Sequence, residues 1–580
     1  MKPDFIKSDL EPGKPLWFWL LPQKSIILPL IVATMTVNVL ALAIPLATMN
    51  IFDRVISNSA FGTLWALIIG VVLAGAFEFL LRTLRAVMID RSSASVDLKM
   101  TGWVFGRILN ACASARVLPV GVQANALREL DGIREYFNSL SINVLGDLPF
   151  VLLFLFVIAA VSGVLVIVPL LAVPIIFLVV AIAQIGMRKQ AEASFQDSAH
   201  KNSVAVDVTS GIETIAAVGA KSWAAKRWEA AVASQMHHSL CLRLWTSTSV
   251  QLVSFLQSLT TAALLVVGVY LVTAGNLTPG ALFAANLLTY RCIGPVAAMA
   301  TILSRLHQIR MALESVNQII QMDQEKLPGS NPLRPAALRE PIAFEKVSFA
   351  YEPLNGAVLN EMSITIKPGE RVGIIGAIGS GKTTLLKLMV NMYQPNNGRI
   401  LWNRIPIQHY DVDLLREQFG TVFQNATFFR GTIWENIVLG RTDVSDETLL
   451  QALEISGAYA WLKALPQGLE TLIGEAGQGL SNGQRQTLAI ARGFLGDRSC
   501  YLLDEPTSDL DTDTERAFVN RLKALERQKT VIIVTHKQSV LEAVDRLIIL
   551  QQGRVIMDGP KHNLIQELQS AAEHQKSKVA

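Results

Sequence analysis

Long runs without a charged residue constrain this chain more than any other feature of its sequence. Residues 26–49 form 24 consecutive positions with no charge. As an α-helix rising 1.5 Å per residue, such a run spans the hydrocarbon core of a bilayer, which is about 30 Å thick. A cleavable signal peptide would be shorter and would end in small residues. Because a second apolar segment follows directly, the sequence predicts helices that cross a membrane.

Six apolar segments of this kind occur between residues 26 and 303, and the chain beyond residue 303 contains almost no long uncharged run. Two amphipathic stretches, 83–143 and 187–248, separate them into pairs and are expected to continue as helices beyond the membrane. We therefore predict an all-α membrane domain over residues 26–322, preceded by a cytoplasmic or interfacial segment, residues 1–25. The predicted spans are 26–49, 62–81, 144–161, 163–186, 250–273 and 277–303.

The distribution of basic residues predicts the orientation of this domain. Counted from Arg82, the first amphipathic stretch carries eight Lys or Arg residues and the second carries seven, whereas the connections on the opposite side carry only Asp53 and Arg54. By the positive-inside rule, both long loops and both termini are expected in the cytoplasm. Trp17 and Trp19 favour a short helix lying on the inner leaflet of the bilayer.

The overall composition excludes several other classes of protein. Charged residues make up 17% of the chain, below the approximately 25% typical of soluble domains. The formal net charge of +4 is too balanced for a nucleic-acid-binding protein of this size, so no nucleic-acid partner is expected. None of the four cysteines are paired at CxxC spacing, which argues against a zinc cluster or a disulfide framework.

Five polar residues lie inside or at the edges of the predicted spans. A charge at membrane depth costs several kcal/mol unless it faces water or a partner. Arg291, near the middle of the sixth span, is interpreted as lining a translocation cavity, and the alternative is a structural pair with Glu78. The other three polar residues are Asn38, Asp147 and Asn286.

Proline and glycine mark a boundary after the sixth span. Residues 327–341 contain four prolines and one glycine, which predicts a linker over 323–340. Residues 341–580 alternate strand and helix patterns and are expected to form an α/β domain. Within it, Ile342–Phe349 alternates as an edge strand would, and Arg371–Gly376 is typical of a buried strand.

The buried strand runs directly into a phosphate-binding loop. Gly376-Ala-Ile-Gly-Ser-Gly-Lys-Thr383 matches the pattern G-x-x-x-x-G-K-[ST] and is followed by a helical segment. The glycines let several backbone N–H groups point at phosphates, and the helix N-terminus adds partial positive charge. Lys382 is expected to reach the β- and γ-phosphates, and the Thr383 hydroxyl to hold Mg²⁺. The candidate ATP-binding residues here are Gly376, Ile378, Gly379, Ser380, Gly381, Lys382, Thr383 and Thr384.

A second motif supplies carboxylates. Residues 499–503 form an apolar strand pattern that ends in Asp504 and Glu505. Asp504 at a strand end can hold Mg²⁺, and Glu505 can orient and polarise an attacking water. The alternative, a carboxylate pair that merely caps the next helix, is weaker because the phosphate loop is present.

Between these motifs lies Leu480-Ser-Asn-Gly-Gln484, which resembles the signature motif of ABC transporter ATPases. Other parts of that family's pattern occur in order, and the resemblance extends to the six-span half, which is similar to the exporter-type membrane domain. It implies a multidomain fold, with an all-α six-helix membrane domain followed by an α/β P-loop nucleotide-binding domain that uses ATP and Mg²⁺. The matching positions are Tyr351 (adenine stacking), Gln424 (ATP and Mg²⁺, with Thr383 and Asp504), Glu475-Ala-Gly477 (cross-loop), Ser481, Gly483 and Gln484 (ATP), Asp511 in Ser508-Asp-Leu-Asp511 (D-loop), and His536 (catalytic, with Glu505).

The family resemblance also implies a homodimer. The chain carries one phosphate loop and one signature motif, so it resembles a half-transporter whose two ATP sites form between two copies. The tips of the long loops, near 118–126 and 210–217, are expected to couple the two domains, and the alternative is that they are ordinary helix turns. Two positions depart from the usual pattern. Asn482 replaces a glycine and is expected to tolerate an unusual φ with activity retained, and Asp509 stands where small residues are common.

Several segments, among them Met49-Asn-Ile-Phe-Asp-Arg-Val55 and Gly373-Ile-Ile-Gly376, resemble type I secretion ABC exporters of Gram-negative bacteria. That resemblance implies an inner-membrane protein that exports an unfolded polypeptide, of repeats-in-toxin or adhesin type, with a periplasmic adaptor and an outer-membrane channel. Only about 25 residues precede the first span, so no leader-cleaving peptidase domain is expected. The alternatives are an exporter of lipid, glycolipid or drug, and a non-pumping regulator or ATP-gated channel. The last of these would be expected to lack Glu505 or His536.

Overall fold

A computed structural model describes residues 24–115, 120–136, 146–326, 331–352, 356–442 and 444–567. The chain packs into two compact units. The first runs to Ala111 and from Arg116 to Met322, and the second joins Cys112–Ala115 to the chain from Asp323 onward. The expected interfacial helix with Trp17 and Trp19 lies outside the described residues.

The described part of the first unit is helical. A π-helical turn, Ile51–Ile56, follows the second helix and ends the first apolar stretch, Leu28–Ile56. Four of the described helices are much longer than a bilayer is thick, with 42 to 53 residues, and the longest is Lys221–Thr273. The α-helices are α1 (Lys24–Leu40), α2 (Ala43–Asn50), α3 (Phe61–Leu109), α4 (Val120–Glu135), α5 (Phe150–Ser162), α6 (Ile167–Ser210), α7 (Ile212–Ala217), α8 (Lys221–Thr273) and α9 (Pro279–Ile320).

Within the described ranges, five helical stretches are long and apolar enough to cross a membrane. One of them, Phe150–Ser210, has 61 residues and contains residues 150–161 of the third predicted span and the whole of the fourth. Gly163 divides it, because its φ of +53° lies outside the α-helical region and a 3₁₀ turn, Gly163–Val166, follows. The described residues therefore contain six apolar segments in helical form, as the sequence predicts. The stretches are Leu28–Ile56, Phe61–Arg91, Phe150–Ser210, Lys221–Thr273 and Pro279–Met299.

Asn38 and Asp147, two of the polar residues of the spans, share a buried cluster with Arg85 inside this unit. The Arg85 guanidinium lies 3.1 Å from the Asp147 carboxylate and 3.2 Å from the Thr34 hydroxyl. Asn38 donates to the same carboxylate oxygen at 3.0 Å. Arg85, Thr34 and Asn38 are all buried. Three helical segments that are far apart in the sequence therefore share one hydrogen-bonded charge pair.

The second unit contains two main sheets and their covering helices. The six-stranded sheet has the order β12-β11-β3-β10-β9-β6, with β3, β10, β9, β6 and β11 parallel and β12 antiparallel. The four-stranded sheet has the order β2-β1-β4-β5. The strands are β1 (Ile342–Phe349), β2 (Leu359–Ile366), β3 (Arg371–Gly376), β4 (Asn397–Trp402), β5 (Ile405–Pro406), β6 (Phe419–Val422), β7 (Gly431–Thr432), β8 (Leu472–Ile473), β9 (Cys500–Asp504), β10 (Thr530–Val534), β11 (Arg546–Gln551) and β12 (Arg554–Pro560).

The prediction that Ile342–Phe349 is an edge strand is wrong. This strand, β1, pairs antiparallel with β2 on one side and with β4 on the other. Its alternating pattern arises because one face packs into the core beneath the sheet while the other face is more open. The alternation reports on burial of the two faces and carries no information about how many neighbours a strand has.

The helices of the second unit cover the parallel sheet and flank the loops at its carboxyl edge. Within β3, β9 and β10 the register aligns Ile374 and Asp504 with Val534. The residues that follow these three strands therefore meet at one edge of the sheet. The α-helices are α10 (Lys382–Met389), α11 (Val412–Glu417), α12 (Ile433–Val438), α13 (Asp446–Ser456), α14 (Ala458–Leu462), α15 (Asn482–Phe494), α16 (Thr512–Ala524) and α17 (Gln538–Leu541).

Candidate nucleotide site

The phosphate loop occupies the connection between β3 and α10. Gly379 and Gly381 have φ of +80° and +96°, which side chains other than glycine rarely adopt. A Cβ atom on Gly376 would lie 2.2 Å from the Leu550 carbonyl oxygen, so only glycine fits there. These glycines permit the tight curl that turns backbone N–H groups toward a phosphate.

The Lys382 side chain lies across this loop. Its Nζ donates to the carbonyl oxygens of Gly376 at 2.7 Å and of Ala377 at 3.0 Å. Burial lowers the pKa of Lys382, while the nearby carboxylates of Glu505 and Asp504 act in the opposite direction. A desolvated ammonium group at this position is suited to binding an anion.

Asp504 ends strand β9 with its side chain almost fully buried. Burial raises its pKa, and a hydrogen bond from the Thr383 hydroxyl opposes that shift. Asp504 Oδ2, Ser380 Oγ and Glu505 Oε1 are buried without a hydrogen-bond partner among the described residues. A buried polar atom without a hydrogen bond is unfavourable in free energy, and a bound ligand would supply the missing partners of these three oxygen atoms.

Glu505 follows directly and has an unusual backbone conformation, with φ of +46°. Its N–H donates to the Val534 carbonyl oxygen at 2.8 Å. The Thr535 hydroxyl donates to Glu505 Oε2 at 3.2 Å, and His536 Nε2 lies 3.7 Å from Oε1. The residues that follow β10 therefore bring two side chains to the carboxylate of Glu505, the residue after β9, as the parallel register of the two strands allows.

Tyr351 lies in an aromatic cluster beside the loop. Its ring packs edge-on against Phe349 and Tyr393, with centroids 5.0 and 5.1 Å away. Its hydroxyl lies 3.1 Å from Thr384 Oγ1. Tyr351 is 45% exposed, so a face remains available for a planar base. Sequence reasoning missed Tyr393, because no motif marks it.

The signature residues form a helix start. Ser481 caps α15 through a reciprocal pair of hydrogen bonds with Gln484, a capping box. Asn482 is the first helical residue, and its side chain accepts a hydrogen bond from Arg485. The tolerance of asparagine for an unusual φ is therefore not needed here, since the first turn of a helix accepts most side chains, and the expectation that activity is retained stays a prediction. A Cβ on Gly483 would come within 3.2 Å of the Asp509 carbonyl oxygen, which keeps this position small.

A cavity of about 350 Å³ brings residues of four predicted motifs together. Gln424 lines it along with Asn482 of the signature and Asp509 of the D-loop. Ala476, in the Glu475–Gly477 turn, also lines it and has a φ of +52°. The wall includes Arg485 and Gln486, which sequence reasoning did not single out.

Asp511 has a clear structural role. Its carboxylate caps α16 by accepting the backbone N–H groups of Asp513 and Thr514 and the Thr514 hydroxyl. The hydrogen bonds from Thr514 lower the pKa of Asp511. Helix capping is sufficient to explain the contacts of the Asp511 side chain, and a role for Asp511 in the D-loop stays a prediction.

In the membrane unit, Arg291 Nη1 lies 3.7 Å from Glu78 Oε1. Glu78 also binds Arg82, at 2.7 Å. The distance supports the pairing alternative, while 37% exposure of the Arg291 side chain leaves room for a role in lining a cavity.

A phosphate loop, a buried strand-end aspartate and an adjacent glutamate, in a chain with six apolar helical segments, define an ATPase coupled to membrane transport. The comparisons agree. Residues 26–296 match the family described as ABC transporter transmembrane region, and residues 359–508 match the family described as ABC transporter. The two matches together span more than half of the chain. The chain belongs to the ABC transporter family and is an ABC exporter with both parts fused.

Among curated relatives, the leukotoxin translocation ATP-binding protein LktB of Mannheimia glucosida is 29% identical over 553 residues, covering 94% of this chain and 78% of LktB. The LktB protein of Bibersteinia trehalosi is 28% identical with the same coverage. A solved structure of a bacterial Atm1-family ABC exporter with ATP bound aligns with a TM-score of 0.82 and 23% identity, covering 96% of this chain and 98% of that chain. This last likeness concerns the fold.

Proposed function

We propose that ATP binds on the phosphate loop, with Tyr351 against the adenine and Lys382 on the β- and γ-phosphates. The unpartnered buried oxygen atoms of Asp504 and Ser380, and the glycine cradle at Gly376, fit a phosphate with its metal. Asp504, Thr383 and Gln424 are the residues that would hold Mg²⁺, which supplies positive charge to phosphate oxygens when bound.

Hydrolysis in this proposal depends on Glu505. Its carboxylate accepts a hydrogen bond from the water that attacks the γ-phosphorus, and so orients and polarises that water. His536, 3.7 Å from the same carboxylate, is placed to contact the γ-phosphate and to keep the carboxylate turned toward it. Thr535 fixes the other carboxylate oxygen.

The working unit in this proposal is a homodimer with two equal sites. Ser481, Gly483 and Gln484 of one protomer face the phosphate loop of its partner, and the N-terminus of α15 donates to the γ-phosphate. Loss of that phosphate on hydrolysis removes the bridge between the protomers. The loops near 118–126 and 210–217 would carry the change to the membrane helices, and residues 118–119 of the first loop lie outside the described residues.

The proposed cargo is an unfolded polypeptide, exported by type I secretion across the bacterial inner membrane with a periplasmic adaptor and an outer-membrane channel. The observation that carries this proposal is similarity over 94% of the chain to proteins named for leukotoxin translocation. Both termini and the nucleotide-binding unit lie in the cytoplasm in this arrangement, as the charge of the long loops favours.

The test is purification from native membranes in mild detergent. The Glu505→Gln variant is used with ATP to hold the nucleotide-bound dimer, and co-purifying proteins are identified by mass spectrometry. Lys382→Ala, which should not capture ATP, is the matched control for adventitious binding. Recovery of an adaptor, a channel protein or a large secreted protein with Glu505→Gln alone is the expected result.

Recovery of the homodimer with bound lipid and no such partner would contradict the polypeptide proposal. The stand-alone exporter of lipid, glycolipid or drug would then replace it. Stimulation of ATP turnover by defined lipids in vesicles would identify the class of cargo in that case.

A further inference from the structure

Gln486 is a buried amide that contacts the backbone of the proposed base. Its side chain is 4% exposed. Its Nε2 donates to the Pro506 carbonyl oxygen at 2.7 Å and lies 3.4 Å from the Glu505 carbonyl oxygen. One side chain of α15 therefore holds the two peptide units that follow the Glu505 Cα.

This turn needs support from outside itself. Glu505 has a left-handed φ of +46°, which a side chain other than glycine rarely adopts unless its surroundings impose it. On its N-terminal side the Glu505 N–H is held by Val534, at 2.8 Å. On its C-terminal side Pro506 has no N–H to offer, and the Glu505 carbonyl oxygen accepts from Ser508 at 3.2 Å.

The orientation of the Glu505 carboxylate follows from these peptide planes. The direction in which a side chain leaves the backbone is set by the planes on both sides of its Cα. Because Gln486 holds the carbonyl oxygens of Glu505 and Pro506, it fixes the C-terminal plane, as Val534 fixes the N-terminal one. Gln486 also belongs to the helix that begins after Ser481, so a displacement of that helix would turn the Glu505 side chain.

We propose that Gln486 is a positioning residue for ATP hydrolysis. It holds the Glu505 carboxylate in its working orientation and ties that carboxylate to the helix whose N-terminus carries the signature motif. This proposal rests on the proposed role of Glu505 as the group that orients the attacking water. Gln486 itself touches neither nucleotide nor water in this scheme.

The test compares ATP turnover of purified full-length variants in lipid vesicles. Gln486→Met keeps the length of the side chain and removes the donor, and Gln486→Asn keeps an amide that is one methylene too short. Since a positioned base contributes about 10²- to 10⁴-fold, we expect kcat to fall by about tenfold in both variants, with KM for ATP changed less than about twofold.

Thr487→Val is the matched control on the same helix. Thr487 is also buried, and its hydroxyl accepts a hydrogen bond from Trp461 Nε1 at 3.1 Å, away from Glu505. This variant should lower thermal stability and leave kcat within about twofold, because it perturbs the helix without releasing the catalytic turn.

A second measurement separates positioning from folding. Retention of ATP is measured with Gln486→Met in the Glu505→Gln background, where it should equal that of Glu505→Gln alone. Wild-type kcat in either Gln486 variant, an equal loss of kcat in Thr487→Val, or loss of ATP retention would overturn the proposal. Wild-type turnover by Glu505→Gln would instead overturn the role of Glu505 itself, whatever Gln486 does.

Discussion

At the residue scale, burial prepares Lys382 and Asp504 for ligands of opposite charge. Burial lowers the pKa of the lysine and raises the pKa of the aspartate, so burial disfavours the charged form of each, and neighbouring opposite charges offset only part of that effect. A bound phosphate would stabilise the charged form of the lysine, and a divalent cation would stabilise the charged form of the aspartate. Lys382 and Asp504 already attract each other across the site, and bound nucleotide with its metal would offset more of the free-energy cost of burying their charges.

Lys382→Ala should abolish capture of ATP at micromolar concentrations. The side chain contributes a charge-assisted hydrogen bond worth roughly 1.5–3 kcal/mol, so affinity should fall by at least about tenfold. Equilibrium binding of a fluorescent ATP analogue to the purified protein measures this. Lys387→Ala, on the same helix, is the control and should bind nearly as well as wild type. Unchanged binding by Lys382→Ala would remove the phosphate-loop assignment.

Glu505→Gln should keep ATP binding and lose turnover by about 10²- to 10⁴-fold, because the amide cannot accept a proton from water. Release of inorganic phosphate from ATP by the purified protein is the measurement. Glu542→Gln, which breaks an exposed ion pair with Lys523, should turn over ATP at the wild-type rate. Full hydrolysis by Glu505→Gln would mean that another group activates the water.

At the element scale, helix starts place several of the motif residues. Ser481 caps α15 and Asp511 caps α16, so the chemistry that starts each helix also fixes where its motif lies. In the membrane unit, the Arg85–Asp147 ion pair joins helical segments. A polar contact can specify which helices pack together there, because lipid is as apolar as the helix surfaces and the hydrophobic effect does not favour one packing over another.

Asn482→Gly, which restores the residue more usual in the signature, should change kcat by less than about threefold and stability by no more than about 1 kcal/mol. The reason is that Asn482 is already helical and exposed, with its side chain turned to Arg485. ATP turnover and the unfolding temperature of the purified protein are the measurements. A tenfold gain in kcat would show that the asparagine side chain obstructs the partner's phosphate.

Asp147→Asn should destabilise the membrane unit strongly, by about 3 kcal/mol, because it leaves the buried Arg85 without a counter-charge. The yield of folded protein and its unfolding temperature in detergent report the effect. Arg82→Gln is the comparison, since Arg82 pairs with Glu78 at a more exposed position. This variant should lose much less unfolding free energy than Asp147→Asn. Equal losses in both variants would argue against a special role for the buried pair.

At the scale of the whole molecule, the proposed homodimer makes a prediction about which protomer contributes each half of a site. Heterodimers are prepared in the Glu505→Gln background with Lys382→Ala and Ser481→Arg, placed either on one protomer or on opposite protomers. On one protomer the two changes damage both composite sites, and on opposite protomers they damage the same site. We therefore expect almost no retained ATP when both changes lie on one protomer, and about one ATP per dimer when they lie on opposite protomers. Equal retention would contradict composite sites.

Local patterns predicted much of this fold, because they depend on neighbours in the sequence. The apolar segments, the buried strand Arg371–Gly376 and the helix after the phosphate loop are where the sequence placed them. The positions of Lys382, Asp504 and Glu505 followed from motif spacing in the same way. The error at Ile342–Phe349 has the same origin, since alternation reports burial and says nothing of strand neighbours.

What the sequence determined by itself is a membrane domain joined to an ATP-binding domain, because the length of an apolar run and the spacing of motif residues are properties of a single chain segment, and the resemblance to ABC exporters added the class of transport. Only the tertiary structure decided which distant residues meet. It brought Glu78 to Arg291, Tyr393 to Tyr351, and Gln486 to the backbone of Glu505. The physical reason is that each of these contacts joins segments whose separation along the chain is closed only by packing of helices and registry of strands.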